Sequence, residues 1–230
     1  MKFVATLVGA LALASSAQAV TYDAFTAFDG QQGSGGFVYM KMPPVGVIAP
    51  PMPLTAPSGA CVVTSTFCLQ DGGGLPGVYK SSTTFTEGTY TVPNDRLLVH
   101  PGASNAIGIF FFAPEAGVYD FEVSFNILDN SPSGIGISSI TNASGVGVGT
   151  PVGALGANTL SLSRSGSISL AQGQFLAFVV NPAGSYANDS TGVNFTLSRA
   201  EVPEPGSWAL MILGFAGAGA MLRRRPRLAA

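Results

Sequence analysis

Between residues 118 and 127 apolar and polar side chains alternate without a break. Tyr119, Phe121, Val123, Phe125 and Ile127 share one face, and Asp120, Glu122, Ser124 and Asn126 share the other. Successive strand side chains point to opposite faces, so the pattern predicts a half-buried β-strand; a slip of one residue would bury the acids, which fixes its register. Val193, Phe195 and Leu197 alternate with Asn194, Thr196 and Ser198 in the same way. Residues 107–112 and 175–180 are continuous apolar runs instead, the pattern of central strands covered on both faces or at a sandwich core. Further strands are predicted over 37–42, 62–67, 96–99, 135–140, 159–164 and 167–171. Arg164-Ser165-Gly166-Ser167 would turn the chain between the last two, and Gln172-Gly173 would turn it again. Helical periodicity is hard to find between residues 20 and 200. Short strands with turn signals every ~8–12 residues predict an all-β fold, an antiparallel β-sandwich or jelly roll.

The stretch 40–60 departs from this rhythm. Pro43, Pro44, Pro50, Pro51, Pro53 and Pro57 break regular strands and predict an extended surface loop of polyproline character. Gly72-Gly73-Gly74 and Pro76-Gly77 mark a second irregular stretch. The compact half is expected to begin near Arg96.

Both ends differ from the body. Lys2, an apolar run over 3–14 and the small residues Ala17 and Ala19 around Gln18 have the order of a secretory signal peptide over 1–19, with cleavage between Ala19 and Val20. The run is shorter than the ~20 residues that span a bilayer; the alternative is an uncleaved anchor. At the other end Val202-Pro203-Glu204-Pro205 lies in a linker, 200–206. An uncharged, mostly apolar stretch, 207–222, follows, and then a basic tail, 223–230, with Arg223, Arg224, Arg225 and Arg227. The apolar stretch would make about 24 Å of helix, a little under a ~30 Å hydrocarbon core. Trp208 at one headgroup layer and arginines snorkelling to the other would complete a single transmembrane helix, its basic tail cytoplasmic and the body 20–199 outside.

Residues 20–202 carry five basic and eleven acidic side chains, a net of −6, and Lys, Arg, Asp and Glu make up 10% of the chain. No basic patch is present to neutralise phosphates, which argues against a nucleic-acid partner. In an oxidising compartment Cys61 and Cys68, with no His or Cys nearby, read as a local disulfide instead of a metal site, two free thiols being the alternative.

The tail resembles the PEP-CTERM sorting domain. Val-Pro-Glu-Pro, then Trp208-Ala209-Leu210-Met211, a Gly-rich apolar helix and an arginine cluster occur in that family's order, over 202–227. The resemblance implies an exosortase, a membrane protease or transpeptidase, that recognises the tail and cuts near the motif, in a Gram-negative cell making exopolysaccharide or biofilm. Two physical features suit recognition. Pro203 and Pro205 hold the backbone extended, and Gly214, Ala216, Gly217, Ala218, Gly219 and Ala220 allow close helix packing. A plain tail anchor is the alternative. In the body, Leu97-Leu98-Val99-His100-Pro101-Gly102, then Ala113-Pro114-Glu115-Ala116-Gly117-Val118-Tyr119 and finally Asn188-Asp189-Ser190-Thr191 resemble exported jelly-roll modules similar to carbohydrate-binding modules. Gln174 stands where those modules usually carry an acid.

Candidate chemistry is sparse. The single histidine, His100, sits beside Pro101-Gly102 and suits a turn-capping role, since a general base needs a converging nucleophile. A zinc site would want three or four ligands, which are absent from the pattern. Asp120 and Glu122, about 7 Å apart on one strand, could make a glycosidase pair, yet acids alternating with aromatics usually form a solvated face. Asp189 suits an Asx turn better than a calcium site, which wants ~6–8 oxygens. Tyr39, Tyr79, Tyr90 and Tyr186 are candidates for sugar stacking or for core and rim packing. The pattern reads as an exported, non-catalytic surface or matrix protein without metal or cofactor. A lectin-like polysaccharide-binding module is the alternative, and a secreted glycoside hydrolase the least favoured.

Overall fold

The computed structural model describes residues 19–43, 50–72, 74–143, 148–200 and 205–223. The signal segment 1–18, the motif residues Val202, Pro203 and Glu204, and Arg224 and Arg225 lie outside the described residues, as does the side chain of Trp208. One compact unit runs from Thr21 to Arg199.

The unit is built from β1 (Val20–Asp23), β2 (Phe37–Met42), β3 (Met52–Pro53), β4 (Phe67–Asp71), β5 (Gly74–Lys80), β6 (Phe85–Glu87), β7 (Tyr90–Val92), β8 (Leu97–His100), β9 (Ala106–Phe112), β10 (Gly117–Ile127), β11 (Ile135–Thr141), β12 (Val148–Leu155), β13 (Ser161–Leu170), β14 (Phe175–Pro182) and β15 (Thr191–Arg199), with a short helix α1 (Ala24–Ala27). A seven-stranded sheet has the order β13-β10-β15-β8-β5-β4, with β1 also on β15; a six-stranded sheet has the order β12-β11-β14-β9-β2-β3. From β8 onward the chain makes one four-strand set β8-β15-β10-β13 and a second β9-β14-β11-β12, a jelly roll of antiparallel strands. The N-terminal half adds β1, β4 and β5 to the first sheet and β2 and β3 to the second, so the expectation that the compact part begins near Arg96 is corrected: Phe28, Phe37, Tyr39, Leu69 and Val78 belong to the same core as the jelly-roll strands.

Alternation drives this arrangement. Tyr119, Val123 and Phe125 of β10 and Val193, Phe195 and Leu197 of β15 point inward and are almost completely buried. They meet Phe111, Phe178 and Val180 from the facing sheet. Phe178 lies within 5.1–5.9 Å, ring to ring, of Phe121, Phe125 and Phe195, which joins the two sheets.

Four local expectations are corrected. Residues 161–170 form one strand, with no turn at 164–167. Gly166 pairs with Phe121 across the ladder, and a Cβ there would meet that ring at 3.1 Å, so the glycine makes room for an aromatic neighbour. Residues 62–66 form no strand. A disulfide between Cys61 and Cys68 closes this loop, and the Gln70 side chain accepts the Val62 N–H, satisfying backbone that a ladder would otherwise pair. The 40–60 stretch is not all loop: β2 extends to Met42, and Met52–Pro53 pairs with Met40 and Lys41 at the sheet edge, where a proline is tolerated. Gly74–Lys80, rich in Gly and Pro, is strand β5.

Both seams of the sandwich are closed. On one side Thr55 and Gln70 exchange backbone hydrogen bonds and Lys41 pairs with Asp71 at 2.8 Å. On the other the Arg164 guanidinium donates to Val152 O of β12 and Ser163 O of its own strand.

Outside that unit, α2 (Pro205–Arg223) is a 19-residue helix, starting two residues earlier than expected. Its length is about 28 Å at ~1.5 Å per residue. Among the described residues no helix is long and apolar enough to cross a membrane. The transmembrane helix expected over 207–222 is therefore not shown; Pro205, Gly206 and the glycines of the second half dilute the apolar character of the helix.

Candidate functional site

The even-numbered residues of β10 leave the core face to the odd-numbered aromatics and project from the opposite, outer face of the seven-stranded sheet. Register places hydroxyls on both sides of each acid. Asp120 lies between Ser167 of β13 and Ser198 of β15, Glu122 between Ser165 and Thr196, and Ser124 between Ser163 and Asn194. Rows lie about 7 Å apart along the strand and neighbours about 4.8 Å apart across it. The Ser167 hydroxyl donates to the Asp120 carboxylate. The Arg96 guanidinium is held by Asp95 and by Asn126 at 2.7 Å, and the charge-assisted hydrogen bond from Arg96 holds the Asp95 carboxyl below its ordinary range.

Two shallow clefts indent this face. One, of about 230 Å³, is lined by Thr21, Asp120, Glu122, Ser165, Thr196 and Ser198 among others. The second, of about 300 Å³, is lined by Asp23, Asp95, Glu122, Ser124, Asn194 and Thr196. Glu122 and Thr196 belong to both. Neither exceeds the low end of the ~300–1,000 Å³ range of small-ligand pockets, so both are open surface depressions and not enclosing cavities. The two acids project side by side from one strand face and are exposed, which is the geometry of a solvated surface and not of carboxylates facing each other across a bond.

A separate group of polar residues gathers at the loop end. His100 is nearly buried, its Nδ1 sits 2.7 Å from the Pro101 carbonyl, and its ring meets Tyr186 edge to face at 6.3 Å. Asp189 is fully buried; Oδ1 accepts the Gly134 N–H at 2.9 Å, and Oδ2 has no partner. Burial pushes this carboxyl above its ordinary range, against the opposing pull of its hydrogen bonds and of His100. The local turn expected of Asp189 is therefore a long-range tie between the 183–190 loop and Gly134, just before β11. Asp129, which sequence reasoning did not single out, secures the same loop from the other side. It accepts from Ser190 N at 2.7 Å and from the Thr89 hydroxyl at 2.9 Å. Nothing in its local pattern marks it, because both partners are distant in sequence. Among the described residues no group of three His, Cys, Asp or Glu could hold a metal ion.

Of the tyrosines, Tyr39 and Tyr79 are core residues whose hydroxyls burial holds protonated far above neutral pH. Tyr90 is pushed up to about 12 by burial, with Glu87 and Asp129 adding to it. Tyr186 alone of the four is exposed, at 40%. On α2, Ala209, Met211, Ile212, Leu213 and Phe215 are exposed.

Residues 201–225 match the PEP-CTERM protein-sorting motif. No curated protein matches the chain in sequence. Solved structures similar to it include a GH26-CBM35 β-(1,4)-mannanase from Podospora anserina (16% identity, 56% of this chain and 28% of that one, TM-score 0.29), a family 35 carbohydrate-binding module from Clostridium thermocellum (15% identity, 50% and 85%, TM-score 0.29) and a xylan-binding domain of family 22 (17% identity, 56% and 86%, TM-score 0.33). The chain thus spans under a third of the mannanase.

Proposed function

We propose that this is an exported, non-catalytic surface or extracellular-matrix protein, directed by its tail to an exosortase-type membrane protease or transpeptidase. The observation that carries the reading is the sorting motif over 201–225, which begins two residues after the sandwich ends at Arg199. The tail's physical character supports it. Helix α2 exposes apolar side chains at Ala209, Met211, Ile212, Leu213 and Phe215, and an exposed apolar helix surface needs lipid or other helices around it. Falling short of a self-sufficient span, it suits a segment held only transiently in the inner membrane and passed to a membrane-embedded enzyme, with Trp208 and the arginines as interfacial anchors. The released body would then reside at the cell surface or in exopolysaccharide of a Gram-negative cell.

A second reading, a lectin-like module, is favoured by one observation: the outer face of β13, β10 and β15 sets hydroxyls and carboxylates in register around two adjoining clefts. Sugars are recognised by such hydrogen-bonding groups.

The sorting reading is tested by replacing the motif as Pro203→Ala, Glu204→Ala and Pro205→Ala and following the protein by cell fractionation. The full-length chain is expected to accumulate with the membranes while the mature form disappears from outside the cell. Unaltered processing and release would contradict the proposal.

A further inference from the structure

We propose that the outer face of the seven-stranded sheet binds a polysaccharide carrying free ammonium groups, a partly de-N-acetylated hexosamine polymer, laid across two adjoining subsites that share Glu122. The inference rests on the lectin-like reading above and narrows its ligand.

Charge selects the ligand class. Asp120 and Glu122 are exposed and enter no ion pair among the described residues. The body's five cations are all engaged. Lys41 holds Asp71, Arg96 holds Asp95, and Arg199 holds Glu115. Arg164 and Lys80 donate to backbone carbonyls. The one cation at the face, Arg96, is already held by Asp95 and Asn126, so the face presents uncompensated negative charge and no unpaired cation to meet a uronate or sulfate. An ammonium group offers three donors and a positive charge, and its hydrogen bonds to a carboxylate are about twice as strong as neutral ones.

Geometry selects a polymer. The clefts measure about 230 and 300 Å³ and share Glu122 and Thr196, so they adjoin along the strands and can serve as neighbouring subsites of one track. Each β10 acid has a hydroxyl from β13 on one side and one from β15 on the other. A carboxylate between two hydroxyls can take a sugar ammonium while its neighbours pair with ring hydroxyls. Phe121 is the single aromatic among the residues lining the clefts, and its ring packs inward, toward Phe178. Binding is then governed by charge and hydrogen bonds, and it weakens with salt.

The test is calorimetric titration of the full-length chain with three polymers of matched length: partly de-N-acetylated chitin, fully N-acetylated chitin oligomers, and polygalacturonate. The deacetylated polymer is expected to bind, the acetylated one at least tenfold more weakly and polygalacturonate not at all, with affinity falling as salt rises. Glu122→Gln is expected to cost about tenfold, in line with the loss of one charge-assisted hydrogen bond, and Asp120→Asn less. Glu87→Gln, which removes the same charge from the β6–β7 hairpin, should leave binding unchanged. Both face acids are exposed, and an unchanged thermal midpoint would show that their variants fold. Equal binding of acetylated and deacetylated polymers, or a Glu87→Gln variant that weakens as Glu122→Gln does, overturns the charge-selective track while leaving a sugar-binding body intact. Binding by none of the three overturns the lectin-like reading as well and leaves the sorting tail untouched.

Discussion

Asp189 shows how one residue ties distant segments and what that costs. Its carboxylate is fully buried and holds the Gly134 N–H, while the second oxygen stays unpaired. Burial raises its pKa, so the folded state binds the proton more tightly than the unfolded chain does. Its contribution to stability is therefore greatest below the unfolded value of ~3.9 and is lost as pH rises through the higher folded value. Asp189→Asn keeps an acceptor for Gly134 and removes the titration. Its stability relative to the wild type should rise with pH from about 4 toward neutrality, as read by denaturation at a series of pH values; a pH-independent difference would contradict the account. Cys61–Cys68 acts on the unfolded state instead, closing a short loop. Cys61→Ser with Cys68→Ser should cost about 2 kcal/mol, the low end expected for a disulfide because the loop is small. Pairing of nearby cysteines was legible from their spacing and from the oxidising compartment expected for the chain. The ties made by Asp189 and Asp129 were not, since Gly134 and Thr89 are 55 and 40 residues away.

Among the strands, alternation was read well and composition misled. The register of β10 and β15 followed from their apolar faces, and the two apolar runs became β9 and β14, inner strands of the six-stranded sheet. The serines of β13 looked like a turn because Ser and Gly favour turns locally; pairing with ten residues of β10, 117–126, overrides that preference. The strand β5 was hidden for the same reason by its glycines and proline. As a ten-residue edge, β13 needs protection from pairing with another chain. Arg164 provides it, occupying carbonyls of β13 and β12 at once. Arg164→Ala should leave the fold intact but produce concentration-dependent oligomers by size-exclusion chromatography; a strictly monomeric variant would show that the edge is blunted by other means. Loss of core packing is more severe: Phe178→Ala, which removes the ring touching Phe121, Phe125 and Phe195, should lower stability by about 3–5 kcal/mol in chemical denaturation.

At the scale of the whole molecule, a sandwich with a polar outer face is joined in sequence to a tail of opposite character, sparse in charge until its arginines. Both parts were legible, because strand periodicity and the order proline motif, apolar helix, basic cluster are written locally. The widening of both sheets by the N-terminal half was not, since those pairings, β2 with β9 and β5 with β8, are set by packing against the jelly roll. The central claim is that the tail is an address removed after export. Intact-mass spectrometry of the protein recovered from outside the cell tests it most directly. The account predicts a chain starting at Val20 and ending near Glu204. Recovery of a chain that still carries Arg223 and the residues after it would contradict it.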